Sequence, residues 1–236
     1  MSVQKAPAAI EGRVYIALVT DDRHFENKPS DPSTPSIDGD VTKLSADQKD
    51  QMIGRQRGGF GKAMGDIGLA DGDAVTKRVR LLVEQGLSRK GYQVVSDPKA
   101  AYIISVSIDQ FWAWMTPGFI ALTFEAKIQC TLSATTPAGT ETVVVKGYGR
   151  NYGQVAKDAN WQEAYDPAFE DFIVNVGVET NRLGLRSDTS RTGRSGASLE
   201  TQADLNTELR KLNELRRDGL LTEIEFETQK NKLLDR

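Results

Sequence analysis

The sequence predicts an α+β fold: a two-layer sandwich with helices on one face of a mostly antiparallel sheet, followed by a C-terminal helical hairpin. Three observations carry this. Tyr102, Ile104, Val106 and Ile108 alternate with Ser105, Ser107 and Asp109. From Phe119 to Ala134, Ile120, Leu122, Phe124, Ala126, Ile128, Cys130, Leu132 and Ala134 alternate with polar positions such as Thr123, Glu125, Lys127 and Gln129. Period-two alternation marks strands covered on one face and wetter on the other. Val75, Val79, Leu82, Val83 and Leu87, and then Tyr165, Phe169, Phe172, Ile173, Val176 and Leu183, recur instead at helical spacing. Beyond residues 186–200, which hold almost no apolar side chain, a leucine stripe begins.

The elements follow in chain order. Residues 1–11 read as a flexible tail, and the body spans 12–185. Val14 to Val19 is an apolar, β-branched run bounded by Gly12 and Asp21-Asp22, the pattern of a buried strand. Residues 21–72 lose regular periodicity: Pro29, Pro32 and Pro35 come first, then Gly58, Gly59, Gly61, Gly65 and Gly68. This is an elaborate surface loop with one short strand near Gln51 to Arg55. Asp71 or Asp73 caps the first helix, and Gly91 ends it. Tyr92 opens a strand closed by Asp97-Pro98. Thr116-Pro117-Gly118 turns the chain between the two alternating strands, making them an antiparallel hairpin. Pro137 to Gly139 makes the next turn, Thr142 to Tyr152 gives a further strand, and Asn160 or Asp166 opens the second long helix.

Composition narrows the function. The chain has 236 residues, a formal net charge of -3, one Cys and one His. The slight acidity argues against nucleic-acid binding, and a single Cys excludes a disulfide framework or a Cys-clustered zinc site. No cofactor or metal is expected. The glycine-rich stretch is not a phosphate loop, because Gln56 stands where the first Gly is needed and Ala63 follows Lys62. The dinucleotide fingerprint fails too, since Gly65 comes one residue late after Gly59 and Gly61. His24 follows Asp21 and Asp22, but no nucleophile motif accompanies it, so it is expected to be a solvated loop histidine. Neighbouring carboxylates on a strand point to opposite faces, so Asp21 and Asp22 are expected to cap the turn rather than share a cation. Cys130 falls on the apolar face and is expected to be buried and unreactive. No residue is assigned a catalytic role.

Phe111, Trp112, Trp114 and Phe119 form the densest aromatic patch. They either fill the end of the core under the long loop or project as a tip that contacts a ligand, a glycan or a lipid surface.

Residues 201–236 form the predicted hairpin. Leu205, Leu209, Leu212 and Leu215 stripe one helix, Gly219 closes it, and Thr222 with Glu225 makes a capping box. Phe226, Leu233 and Leu234 stripe the second helix. Leu212-x-x-Leu215, Gly219-Leu220-Leu221-Thr222, Glu225-Phe226 and Lys230-x-x-Leu233-Leu234 together resemble the SHOCT module, the short C-terminal domain of many bacterial proteins. That resemblance implies a non-catalytic part that mediates oligomerisation or partner contact. Physics agrees, because a hairpin of under ~40 residues seldom sustains its own core. Its stripe must cover another surface: its own body, a second copy in a homo-oligomer, or a protein partner.

The body resembles the YajG-type family of bacterial lipoproteins. Asp21-Asp22-Arg23 after a strand, Ile53-Gly54-Arg55 with Gly58-Gly59-Phe60-Gly61, Gly91-Tyr92 and Ala100-Ala101-Tyr102-Ile103 carry the likeness. The resemblance implies a non-enzymatic protein of the periplasm or outer membrane. The first ten residues hold no signal-like apolar stretch and no lipidation Cys. Membrane attachment is therefore expected only if a lipidated leader has been removed, and a native start at Met1 would place the protein in the cytoplasm.

Overall fold

The computed structural model describes residues 12–57, 63–100, 102–118, 121–136 and 139–185. The predicted C-terminal hairpin, with Leu205, Leu209, Leu212, Leu215, Leu220, Leu221, Phe226, Leu233 and Leu234, falls on residues outside the described ones, as does Phe119.

The described body is α+β. In order it contains β1 (Gly12–Asp21), a 3-10 turn (Val41–Lys43), α1 (Ala46–Gln51), β2 (Met52–Arg57), β3 (Ala63–Gly68), α2 (Val75–Arg89), β4 (Tyr92–Val94), β5 (Tyr102–Pro117), β6 (Leu122–Thr136), β7 (Gly139–Gly153) and α3 (Asp158–Glu179). The sheet is mixed, which corrects the mostly antiparallel expectation. β1 runs parallel to β4 and to β5, and β2 runs parallel to β5. The pairs β2–β3, β5–β6 and β6–β7 are antiparallel. The parallel half follows from chain path: long connections return β2 and β5 in the direction of β1, and only tight hairpins reverse direction.

β5 is the spine. β6 pairs with it from Ile103 to Pro117, filling one edge. Its other edge is shared end to end, by β1 from Tyr102 to Ile108 and by β2 at Ala113 and Trp114. Both predicted alternations hold over most of their length: Tyr102, Ile104, Val106 and Ile108 are buried, and so are Phe124, Ala126, Ile128, Cys130, Leu132 and Ala134, while Leu122 is half-buried and Ile120 lies outside the described residues. A bulge between Ile108 and Gln110 then changes the parity, so that Phe111, Ala113 and Met115 continue the core face.

α2 and α3 cover that face. The five apolar residues predicted for α2 are all buried, and Gly91, at φ 98, ends the helix as expected. Its start differs from expectation. Ala74 is the N-cap, and the Asp50 carboxylate of α1 accepts from the Thr76 N–H at 2.9 Å and the Thr76 hydroxyl at 2.6 Å. The cap comes from a residue twenty-six positions away, which local spacing does not reveal. α3 begins at Asp158, earlier than Asn160 or Asp166, and Asn160 serves as an acceptor for the Lys157 N–H at 3.2 Å.

α3 lies almost on the backbone of β7. A Cβ at Gly147 would stand 2.3 Å from the Ala168 carbonyl, and one at Gly149 would stand 2.1 Å from the Ala164 carbonyl. The helix answers with Ala164 and Ala168, both fully buried. Gly149→Ala is therefore expected to cost about 1–3 kcal/mol by overpacking. Gly65→Ala, where the added atom meets nothing within 4 Å, should change stability by less than about 0.5 kcal/mol. Urea midpoints of the two full-length variants check this, and equal midpoints would contradict the close approach.

Candidate functional site

The clearest polar centre sits where β1 ends and β2 has yet to begin. Between Ile108 and Ala113 the shared edge of β5 has no strand against it, so backbone groups there need other partners. Arg23 supplies them, and its side chain is fully buried. Its Nε and Nη2 donate to the two carboxylate oxygens of Asp21, each at 2.7 Å. Nη2 also donates to the Lys49 carbonyl at 2.6 Å. Nη1 donates to the carbonyls of Met52 at 2.6 Å and Phe111 at 2.9 Å. A guanidinium has five N–H donors, and here each one has an acceptor. The planar fork fits the bidentate carboxylate, and the remaining donors join β1, α1, β2 and β5.

Asp22 points elsewhere, as strand alternation requires. It accepts from the hydroxyls of Thr20 and Ser107, both at 2.7 Å. The Ser107 bond, then that of Thr20, holds its carboxyl below the usual 3.8.

The long loop is pinned to the outer face of the sheet by arginines of β2. Arg57 donates to the Pro29 carbonyl at 2.8 Å and to the Ser36 hydroxyl at 3.2 Å. Arg55 donates to the Ile37 carbonyl and pairs with Asp38 at 3.3 Å. Asp66 on β3 accepts from the Asp38 N–H, and Gln110 on β5 donates to the Ser33 carbonyl at 3.0 Å. The loop is thus a strap held by many polar contacts, and besides the one predicted strand, which is β2, it contains the 3-10 turn, α1 and β3, the hairpin partner of β2.

This strap settles the aromatic patch. Phe111 is 1% exposed, Trp112 0% and Trp114 8%. Phe111 stacks on Tyr165 of α3 with centroids 5.0 Å apart, and Trp112 meets Phe25 of the strap edge to face at 5.7 Å. The Trp114 indole donates to Glu125 at 3.0 Å, and the same carboxylate accepts from the Tyr148 hydroxyl at 2.5 Å. The alternative of Phe111, Trp112 and Trp114 as an open contact surface is corrected: helices cover one side of this strand and the strap covers the other.

His24 is 81% exposed and stands 3.6 Å from Glu26, while the carboxylates of Asp21 and Asp22 are engaged elsewhere. Cys130 is buried, and burial pushes its thiol well above its usual range. Among the described residues no group of three or more His, Cys, Asp or Glu is placed to hold a metal. The role of Arg23 was missed in the sequence. The available signal was an arginine directly after two aspartates at the end of an apolar strand.

Residues 59–160 match the model of an uncharacterized lipoprotein family, and residues 207–234 match that of the short C-terminal domain, SHOCT. Both resemblances read from the sequence therefore stand, and the lipoprotein match suggests a cell-envelope location. A crystal structure from Xanthomonas campestris, carrying the family model DUF330, aligns over 77% of this chain and 88% of its own, at 13% identity and a TM-score of 0.41. A minor lipoprotein from Acinetobacter baumannii aligns over 48% of this chain and 87% of its own, at 17% identity and a TM-score of 0.31. No curated protein matches the chain.

Burial of the tryptophans is directly measurable. Trp112, Trp114 and Trp161 are the chain's tryptophans, and all are buried. The free full-length protein should emit at short wavelength and resist acrylamide quenching until it unfolds. A water-like emission maximum in the folded state would contradict the strap.

Proposed function

We propose that the chain is a non-enzymatic, cell-envelope-associated scaffold or assembly component that holds a second copy or a protein partner through its C-terminal hairpin. The observation that carries this is the match of residues 207–234 to a module whose apolar stripe needs a covering surface. The body supports the same reading. Its polar side chains with the strongest connections, Arg23, Asp21, Arg55 and Arg57, hold backbone segments in place. His24 stands out in solvent, and Cys130 is inside the core.

In this account the body is a stiff platform, residues 186–200 are the tether, and Leu205, Leu209, Leu212, Leu215, Leu220, Leu221, Phe226, Leu233 and Leu234 supply the apolar contact. No cofactor, metal or nucleic acid takes part. Burying several leucines against a partner contributes roughly 1.5–3 kcal/mol for each fully covered side chain, before the cost of association.

Light scattering behind size-exclusion chromatography tests the self-association form. The full-length chain should elute with a mass that is a multiple of 25.9 kDa. Leu212→Lys combined with Leu215→Lys should return it to a single chain's mass with its fold unchanged. A single-chain mass for both proteins would contradict self-association through the tail.

A further inference from the structure

The strap between Arg23 and Ser45 is fixed at both ends and joined to the sheet by side chains in between. At its start Arg23 is locked in the polar centre, where it also donates to the Lys49 carbonyl and so ties the two ends together. At its far end Ser45 caps α1. It accepts from the Gln48 N–H at 3.2 Å, while the Gln48 side chain accepts from the Ser45 N–H at 3.0 Å. Among the described residues, no main-chain to main-chain bond joins residues 25–44 to a strand. Arg55, Arg57, Asp66 and Gln110 hold the strap instead, each by its side chain, and the Phe25 ring meets Trp112.

Within itself the strap is tied. The Glu26 N–H donates to the Pro35 carbonyl at 2.9 Å, and the Val41 N–H donates to the side-chain oxygen of Asn27 at 2.9 Å. These bonds draw its two limbs together in the manner of an Ω-loop, whose ends lie close and whose interior packs on itself. A segment tied in this way moves as one body instead of fraying residue by residue.

Closure of the strap is opposed from beneath. The Trp112 indole N–H and the Arg55 Nε are buried and have no acceptor among the described residues. The Asp66 carboxylate stands 3.6 Å from Arg55 Nε, beyond bonding distance. The Arg55 side chain is 6% exposed, while the carboxylate of its partner Asp38 is 78% exposed. Arg55 and Arg57 lie two apart on β2 and so share a face. Burial, and then the Arg55 charge, hold the Arg57 guanidinium below its usual range, against a smaller opposing pull from Asp31. Unmet buried donors and neighbouring like charges each raise the free energy of the covered form. Lifting the strap returns both donors and both guanidinium groups to water, and the core face under α2 and α3 is not disturbed.

We propose that residues 25–44 lift from the sheet as a lid, hinged beside Arg23 and Ser45, and bare Trp112 with Arg55 and Arg57 while the sandwich stays folded. The closed form is the one in the structure, so the buried emission of the tryptophans in the resting protein is kept. Hydrogen exchange of the full-length chain, in urea below its unfolding midpoint, tests the lid. The Trp112 indole N–H and the Asp38 amide, which donates to Asp66, should exchange through one shared opening. That opening should be populated about a hundredfold or more above the exposure of the β6 amides at Cys130 and Leu132, and should respond only weakly to urea. The Glu26 amide, bonded inside the strap, should exchange more slowly than Asp38. Asp66→Asn should speed exchange of the Trp112 indole about tenfold and leave the β6 amides unchanged. Exchange of Trp112 and Asp38 only in step with β6 would overturn the proposal. So would a Trp112 indole that exchanges while Asp38 stays protected, a Glu26 amide as fast as Asp38, or an indole rate that ignores Asp66→Asn. Because the first three readings use the unaltered chain, they decide the matter even if the variant folds poorly.

Discussion

One buried guanidinium holds the body together. β5 lends a single edge to two strands in succession, and wherever one strand stops before the next begins, main-chain groups are left in the interior. An unpaired buried carbonyl costs about 1–3 kcal/mol. The interruption brings Phe111, Met52 and Lys49 carbonyls to one point, and Arg23 donates to each while its charge is met by Asp21. A lysine could not do this, since it has fewer donors and no planar fork. The end of β1, the last turn of α1, the start of β2 and the middle of β5 meet at this contact.

The strap and the helix layer then divide the sheet between them. On the core side α3 sits so close to β7 that only glycine fits at Gly147 and Gly149. On the outer side Arg55 and Arg57 pull the loop down over Trp112. Arg23, Asp21, Arg55 and Arg57 are thereby engaged in holding the fold, while His24 stands in solvent. What the sequence adds beyond the body is a leucine-striped segment that matches the short C-terminal domain.

Much of this was legible in the residues, for physical reasons. The faces of β5 and β6 could be read because alternation reports burial directly, and the bulge that changes parity after Ile108 is the point at which that pattern stops. The stripe of α2 and the glycine that ends it were equally plain. Strand direction was not, because an apolar run such as Val14 to Val19 marks a buried strand without naming its neighbours. β3 was hidden by its glycines, and the Asp50 cap of α2 by distance along the chain. Arg23 was the largest omission. Its sequence setting shows a charged turn, and only the fold shows that the turn faces inward, onto a break in the sheet.

The central claim is that Arg23 closes that break, and a double-mutant cycle on the full-length chain tests it. Arg23→Met and Asp21→Leu should each cost about 3–5 kcal/mol in urea unfolding, because each leaves an uncompensated buried charge. The combined variant should cost clearly less than their sum, giving a coupling of about 1–3 kcal/mol. A loss below about 1 kcal/mol for Arg23→Met, or strict additivity in the cycle, would contradict the account.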